Sequence, residues 1–367
     1  MRLVSAGTGL LGLGLAAAGG AVGYAAERYA LRRVRGRPDP EAREPFGRLP
    51  GRHRVVTTDD GVPLHVEEVG EPDAPLTVVL CHGYALESAC WHFQRRDLPG
   101  LLTGRVGGGP DAGVRVVVWD QRSHGRSGRA TPESCTIDQL GRDLTRVLAA
   151  TALTGPVVLV GHSMGGMTIM ALADQCPELF DGRRVVGVGL VSTSAGALAE
   201  VTFGLPAFLT GVKNRALPWL AQGTVDNPRL VDRTRRLGSD VAYLLTLQYG
   251  FGSRDASPSV VAFVERMVAQ TPSDVIAAFY PTFTSHDKLA ALPVLAGVEV
   301  LVVAGESDVV TPADHSRAIA EAAPGARLVV LPDSGHNVML ERHREVTAEL
   351  ADLVLRAVAR SGGAGRG

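Results

Sequence analysis

Three residues of this 367-residue chain have side chains and settings suited to nucleophilic chemistry: Ser163, Asp308 and His336. Ser163 lies in Gly161-His162-Ser163-Met164-Gly165, between the apolar run Val157-Val158-Leu159-Val160 and a stretch of small and apolar residues. The run reads as a strand buried on both faces and the later stretch as a helix, so the glycines mark a tight strand-to-helix turn with the serine at its tip. A hydroxyl held there is exposed, and the first backbone N–H groups of the helix can face a developing oxyanion.

A serine attacks only when a base takes its proton, so the chain must also supply a histidine and an acid to orient it. Residues 298–305 read as another buried strand, with Glu306-Ser307-Asp308 at its carboxyl end and Thr311-Pro312 opening a helix. Residues 327–331 read as a last strand, followed by the loop Pro332-Asp333-Ser334-Gly335-His336. Asp308 is therefore the acid candidate and His336 the base candidate, in the chain order that a G-x-S-x-G elbow calls for. Asp333 is the alternative acid, set behind Asp308 because it lies three positions before His336 and does not directly follow a strand.

Further pieces repeat the pattern of a strand followed by a polar loop: Cys81-His82-Gly83-Tyr84, Asp120-Gln121-Arg122-Ser123-His124-Gly125-Arg126-Ser127 and Gly305-Glu306-Ser307-Asp308. With the elbow and Gly335-His336, they make residues 53–360 resemble the α/β-hydrolase family. The resemblance implies an α/β fold: an eight-stranded, mostly parallel sheet with helices on both faces and a helical lid inserted after the sixth strand. It also implies that the residue after His82-Gly83 offers its backbone N–H to an oxyanion hole, which makes Tyr84 and Met164 the expected pair of donors. Ser123 stands where the family usually has glycine, a departure that restricts a turn but touches no catalytic role.

The elements that must position these residues set the domain plan. Residues 53–195 and 291–360 form two parts of a hydrolase core, and residues 196–290 break the strand-helix alternation as a helical lid. Phe203, Phe208, Leu209, Trp219, Tyr243, Tyr249, Phe251, Phe279 and Tyr280 are pooled candidates for lining a pocket there, with packing of the lid onto the core as the competing role. Residues 53–58 and 62–69 give a hairpin signal, and Thr136-Ile137-Asp138-Gln139 has capping-box spacing. Arg122 and Arg126 read first as braces for loops near the catalytic edge and second as an anion-binding patch.

Residues 36–52, rich in proline, read as an irregular linker, and residues 361–367 as a disordered tail. Residues 3–26 carry no charge and would measure about 36 Å as a helix, enough to cross a hydrocarbon core of about 30 Å. Arg28, Arg32, Arg33, Arg35 and Arg37 follow this segment. The expectation is a membrane anchor within residues 1–35 that leaves the catalytic domain on the cytoplasmic side; the alternatives are export after signal-peptide cleavage and a soluble helix.

The apolar fraction of 45% supplies a large core, and a formal net charge of −1 gives no electrostatic reason to expect nucleic acid. The four cysteines lack C-x-x-C spacing, no metal-ligand set is visible, and no cofactor is called for. The expected partner is a small, hydrophobic, ester-like substrate. The leading reading is a serine hydrolase acting through an acyl-enzyme; the alternatives are a cofactor-free perhydrolase resembling the non-haem haloperoxidases, or a non-catalytic binding protein on the same fold. A serine at position 163 argues against haloalkane dehalogenases and epoxide hydrolases, which use aspartate there.

Overall fold

The structure is a computed structural model that describes residues 36–107, 109, 112–152, 155–198, 201, 239–253 and 255–364. The central strands form where valine and leucine leave no polar face. In chain order the strands are β1 (Arg52–Thr57), β2 (Pro63–Val69), β3 (Leu76–Cys81), β4 (Val114–Trp119), β5 (Val157–His162), β6 (Val185–Val191), β7 (Glu299–Gly305) and β8 (Arg327–Leu331). Every position of β3, β5 and β6 is buried, whereas β1, which carries arginine and histidine, is mostly exposed at the sheet's edge.

The eight strands make one sheet in the order β1-β2-β4-β3-β5-β6-β7-β8. The pairs β1/β2 and β2/β4 are antiparallel and all others parallel. Residues alternate between two apolar layers. Val78, Leu80, Val158 and Val160 face one, with Phe93 and Leu98 of α1 (His92–Leu102). Val79, Cys81, Val157 and Leu159 face the other, with Leu144 and Val147 of α2 (Ile137–Thr151) and Ile169 of α3 (Met164–Gln175). Each fully buried valine or leucine contributes about 1.5–3 kcal/mol through area removed from water, which is why these runs make continuous strands. Thr136 caps α2 as its spacing predicts, accepting the N–H of Gln139 at 3.2 Å.

Parallel register brings the carboxyl ends of the central strands to one edge: Cys81 lies opposite Gly161, His162 opposite Val191, and Gly305 opposite Leu331. The chain leaves β3 for β4 on one side and returns to β5 on the other, so the ends of β3 and β5 flank a topological switch point, where open α/β sheets build their sites.

Between β6 and β7 the described chain forms α4 (Ser239–Gly250), α5 (Pro258–Gln270) and α6 (Ser273–Ser285). Residues 202–238, with Phe203, Phe208, Leu209 and Trp219, lie outside the described residues. Tyr243, Phe251 and Phe279 are buried, Tyr280 is half-buried and Tyr249 is exposed. After β7 come α7 (Ala313–Ala322), α8 (Val338–Glu341) and α9 (His343–Ala364). Residues 36–51 are irregular before β1 but closely packed: Phe46 stacks on Phe263 with ring centroids 4.6 Å apart, and Asp39 accepts the Ser259 hydroxyl at 2.7 Å.

The expected membrane anchor, with a cytoplasmic catalytic domain, is corrected here. Among the described residues no helix is long and apolar enough to cross a membrane. The longest of them, α9, carries Glu345, Glu349, Asp352 and Arg356 and turns Val346, Leu350 and Leu353 onto the core, a one-sided pattern unsuited to lipid on all faces. Residues 3–26 lie outside the described residues.

Candidate active site

The turn between β5 and α3 holds Ser163 at φ 51° and ψ −119°, a left-handed backbone that L residues rarely adopt. Its neighbours must be small for this turn to close. A Cβ on Gly161 would stand 2.3 Å from the Gly165 carbonyl oxygen, and one on Gly165 would stand 2.2 Å from that of Cys81. The turn is also tied to β6, since the Ser163 N–H donates to the Val191 carbonyl at 3.0 Å and the Thr193 hydroxyl donates to the Ser163 carbonyl at 2.7 Å.

Two loops at the same edge reach this serine. His336, after β8, lies with Nε2 3.0 Å from Ser163 Oγ and Nδ1 2.9 Å from Asp308 Oδ2. Asp308, after β7, is buried and fully bonded: Oδ1 accepts the N–H groups of Val310 and Thr311 at 2.8 and 2.9 Å, and Oδ2 accepts the Thr311 hydroxyl at 2.9 Å. Burial alone would raise the pKa of this carboxyl. The charge and hydrogen bond of His336, with the Thr311 donors, outweigh it and hold the group below its ordinary range. A charged carboxylate on one side fixes the imidazole with its proton on Nδ1, leaving Nε2 to accept from the serine hydroxyl.

The loop after β3 closes the other side. A Cβ on Gly83 would come within 3.2 Å of Ser163 Cβ, so the turn leading into Tyr84 lies directly against the serine, and Met164 follows the serine in the chain. Both expected donors thus belong to backbone that borders Ser163. The Tyr84 hydroxyl donates to the Ile276 carbonyl on α6, and its ring meets Phe283 edge-on with centroids 4.9 Å apart. Met164, Met167 and Phe279 form an apolar cluster beside it.

Three histidines around the serine are buried and kept neutral. Burial lowers the pKa of His82 to about 4 and those of His124 and His162 to about 3. Their bonds need one bare nitrogen each in two cases: His82 Nε2 accepts the Gln121 N–H at 2.8 Å, and His124 Nε2 accepts the Ala85 N–H at 3.3 Å. His162 instead donates from Nε2 to the His336 carbonyl at 2.9 Å.

The structure therefore brings Ser163, Asp308 and His336 together and leaves Asp333 apart, exposed on a turn with φ 48°. Sequence reasoning missed Thr311, His162 and Glu341. Thr311 had a signal, because an aspartate three positions before a helix-opening threonine can accept that residue's N–H in a local turn. His162 had none, since its partner, the His336 carbonyl, belongs to a distant segment, and Glu341 had little, since two of its three N–H donors, Gly252 and Ser253, come from far away in the chain. Arg122 is a brace: fully buried, it bonds Asp143 at 2.6 and 2.7 Å and Asp60 at 2.8 and 3.0 Å. Ser123 takes φ 63°, where glycine is favoured, and its hydroxyl accepts the Ala130 N–H at 2.9 Å, a bond glycine could not make.

Among the described residues one cluster offers metal-ligand atoms within 4.8 Å of one another: His53, His65 and Glu67. It lies on β1 and β2, and both Glu67 oxygens already face guanidinium groups, Oε2 that of Arg95 at 2.5 Å and Oε1 that of Arg126. Cys81 is a small hydrophobe in the core, its thiol pushed up to about 12 by burial.

The model of the α/β-hydrolase family matches residues 78–350. The chain belongs to that family. This α/β-hydrolase is 28% identical over 284 residues to the dihydrolipoyllysine-residue acetyltransferase component of an acetoin cleaving system from Pseudomonas putida, across 77% of its own chain and 63% of that relative. It thus spans less than two thirds of that relative's length. It is 28% identical over 278 residues to a pimeloyl-(acyl-carrier protein) methyl ester esterase from Nitrosomonas europaea, across 74% of the hydrolase and 92% of the relative. A bromoperoxidase from Bacillus anthracis shares the fold with a TM-score of 0.63 at 18% identity, over 83% of the hydrolase and 99% of that chain.

Proposed function

We propose that this α/β-hydrolase cleaves carboxylic-ester-type bonds, whether ester, thioester or lipid ester, through an acyl-enzyme on Ser163. The observation that carries the reading is the unbroken line of bonds from Asp308 Oδ2 through His336 to Ser163 Oγ, at 2.9 and 3.0 Å. His336 Nε2 takes the hydroxyl proton as Ser163 Oγ bonds to the carbonyl carbon, and Asp308 balances the imidazolium that forms. The backbone N–H groups of Tyr84 and Met164 receive the oxyanion. The intermediate then expels the alcohol or thiol, which leaves with the proton from His336. Water, deprotonated by the same nitrogen, attacks the acyl carbon and releases the acid and free Ser163.

The apolar cluster of Met164, Met167 and Phe279, with Tyr84 and Phe283 packed on it, supports a hydrophobic group beside the reacting carbonyl. In this reading the segment carrying α4, α5 and α6 is the lid. Hydrolysis of p-nitrophenyl esters of graded chain length by the wild type and by Ser163→Ala tests the reading. The wild type turns over a short or medium acyl ester, and the variant falls by several orders of magnitude. A Ser163→Ala enzyme with wild-type rates refutes it. Efficient peracid formation from peroxide and acetate, with slow ester turnover, assigns the same three groups to perhydrolysis instead.

A further inference from the structure

Two segments far apart in the chain meet at one largely buried carboxylate. Glu341, the last residue of α8, accepts the Gly335 N–H at 2.7 Å, the Ser253 N–H at 2.6 Å and the Gly252 N–H at 3.2 Å. Gly335 immediately precedes His336, and residues 252–253 lie between α4 and α5. The other neighbour of His336 is tied to the same segment: Asn337 donates to the Gly250 carbonyl from its backbone N–H at 2.9 Å and from Nδ2 at 3.1 Å. The two backbones also touch, since a Cβ on Gly252 would stand 2.3 Å from the Ser334 carbonyl carbon.

A carboxylate satisfied only within its own loop would be an ordinary buried acid. Two of the three N–H donors here come from the inserted segment, and hydrogen bonds to a charged acceptor are about twice as strong as neutral ones. Burial pushes the Glu341 carboxyl up, and the three N–H donors, Gly335 foremost, oppose that rise by favouring the charged form.

We infer that Glu341 is a positioning residue that couples the insertion to the base: its carboxylate holds Gly335, and through it His336, in register with residues 250–253. A shift of the insertion then moves the imidazole. This rests on the acyl-enzyme reading for its catalytic consequence but not for the coupling itself.

The test compares full-length wild type with Glu341→Gln, whose amide keeps the shape but replaces one accepting oxygen with a donor. Three readouts are taken: the far-downfield proton resonance of His336 Nδ1–H facing Asp308, the rate of tryptic cleavage after Arg254, and kcat and KM on an ester the wild type hydrolyses. The coupling predicts a shifted or broadened resonance, faster cleavage, and kcat lower by about 10- to 100-fold with KM within about twofold, the signature of a misplaced catalytic group. Glu341→Asp restores part of each. A Gln variant that is less thermostable yet keeps the wild-type resonance, cleavage rate and kcat overturns the inference and leaves Glu341 a structural acid. Should Glu341→Gln not fold, Asn337→Ala, which removes the Nδ2 bond to Gly250, carries the same resonance and cleavage predictions, and their absence overturns the inference. A wild type inert to esters and unlabelled at Ser163 refutes the hydrolytic reading alone, because the resonance and cleavage comparisons still decide the coupling.

Discussion

The hydroxyl of Thr311 donates to Oδ2 of Asp308 at 2.9 Å, the same oxygen that faces Nδ1 of His336. The acid that orients the imidazole is therefore itself oriented by a side chain three residues on, at the start of the turn into α7. Thr311→Val keeps the volume and the backbone N–H but removes this donor. One hydrogen bond of this kind contributes about 1–1.5 kcal/mol, so kcat falls about tenfold. Steady-state kinetics on one ester checks this, with circular dichroism confirming an unchanged fold.

The same substitution has a signed effect on acid stability. The folded pKa of Asp308 lies below its ordinary value, so the stability it contributes is present above the unfolded pKa and is lost as pH falls through the folded one. With the Thr311 hydroxyl gone, the folded pKa rises toward the ordinary value. Thermal melts across acidic pH show Thr311→Val losing stability at higher pH than the wild type.

The three buried histidines predict a wider window. Their folded values of about 4 for His82 and about 3 for His124 and His162 lie below the 6.5 of a free imidazole. Between those limits the unfolded chain binds more protons than the folded one, so stability is full above 6.5 and declines as pH falls toward 3 to 4. Melting temperatures measured from pH 7.5 down to about pH 4 fall progressively, and His124→Gln, which cannot take up this proton in either state, has a shallower slope. An identical slope in the variant contradicts the assignment of His124 as a buried neutral group.

The strands and the three converging residues were legible because each rests on local pattern. Leu76–Cys81, Val114–Trp119, Val185–Val191 and Arg327–Leu331 run where the β-branched stretches place them, and Asp308 and His336 lie in the loops that follow β7 and β8. Interactions that depend on convergence were not legible. Nothing near Glu341 in the chain announces that Ser253 and Gly252 will donate to it, and nothing near His162 announces the carbonyl of His336. The linker reading of residues 36–52 missed the aromatic stack of Phe46 on Phe263 for the same reason. The membrane anchor was read from hydropathy and the arginines that follow it, whereas among the described residues no helix is long and apolar enough to cross a membrane.

Arg122 gives the largest expected stability effect away from the site. It is fully buried between Asp143, also fully buried, and Asp60. Removing one member of such a group leaves buried charge uncompensated at a cost of about 3–5 kcal/mol. Arg122→Ala lowers the urea midpoint accordingly, whereas Arg126→Ala, at a side chain 57% exposed, changes it little. Equal midpoints for the two variants contradict the brace.

In the proposed mechanism one hydroxyl, at position 163, is activated by one imidazole, at position 336. Reaction with a fluorophosphonate, followed by mass spectrometry of the digested protein, reads this directly. The expected result is a single phosphonyl adduct on the peptide carrying Ser163 in the wild type, formed orders of magnitude more slowly in His336→Ala and absent in Ser163→Ala. Rapid labelling of a different residue, or of Ser163 at an unchanged rate without the imidazole, contradicts it.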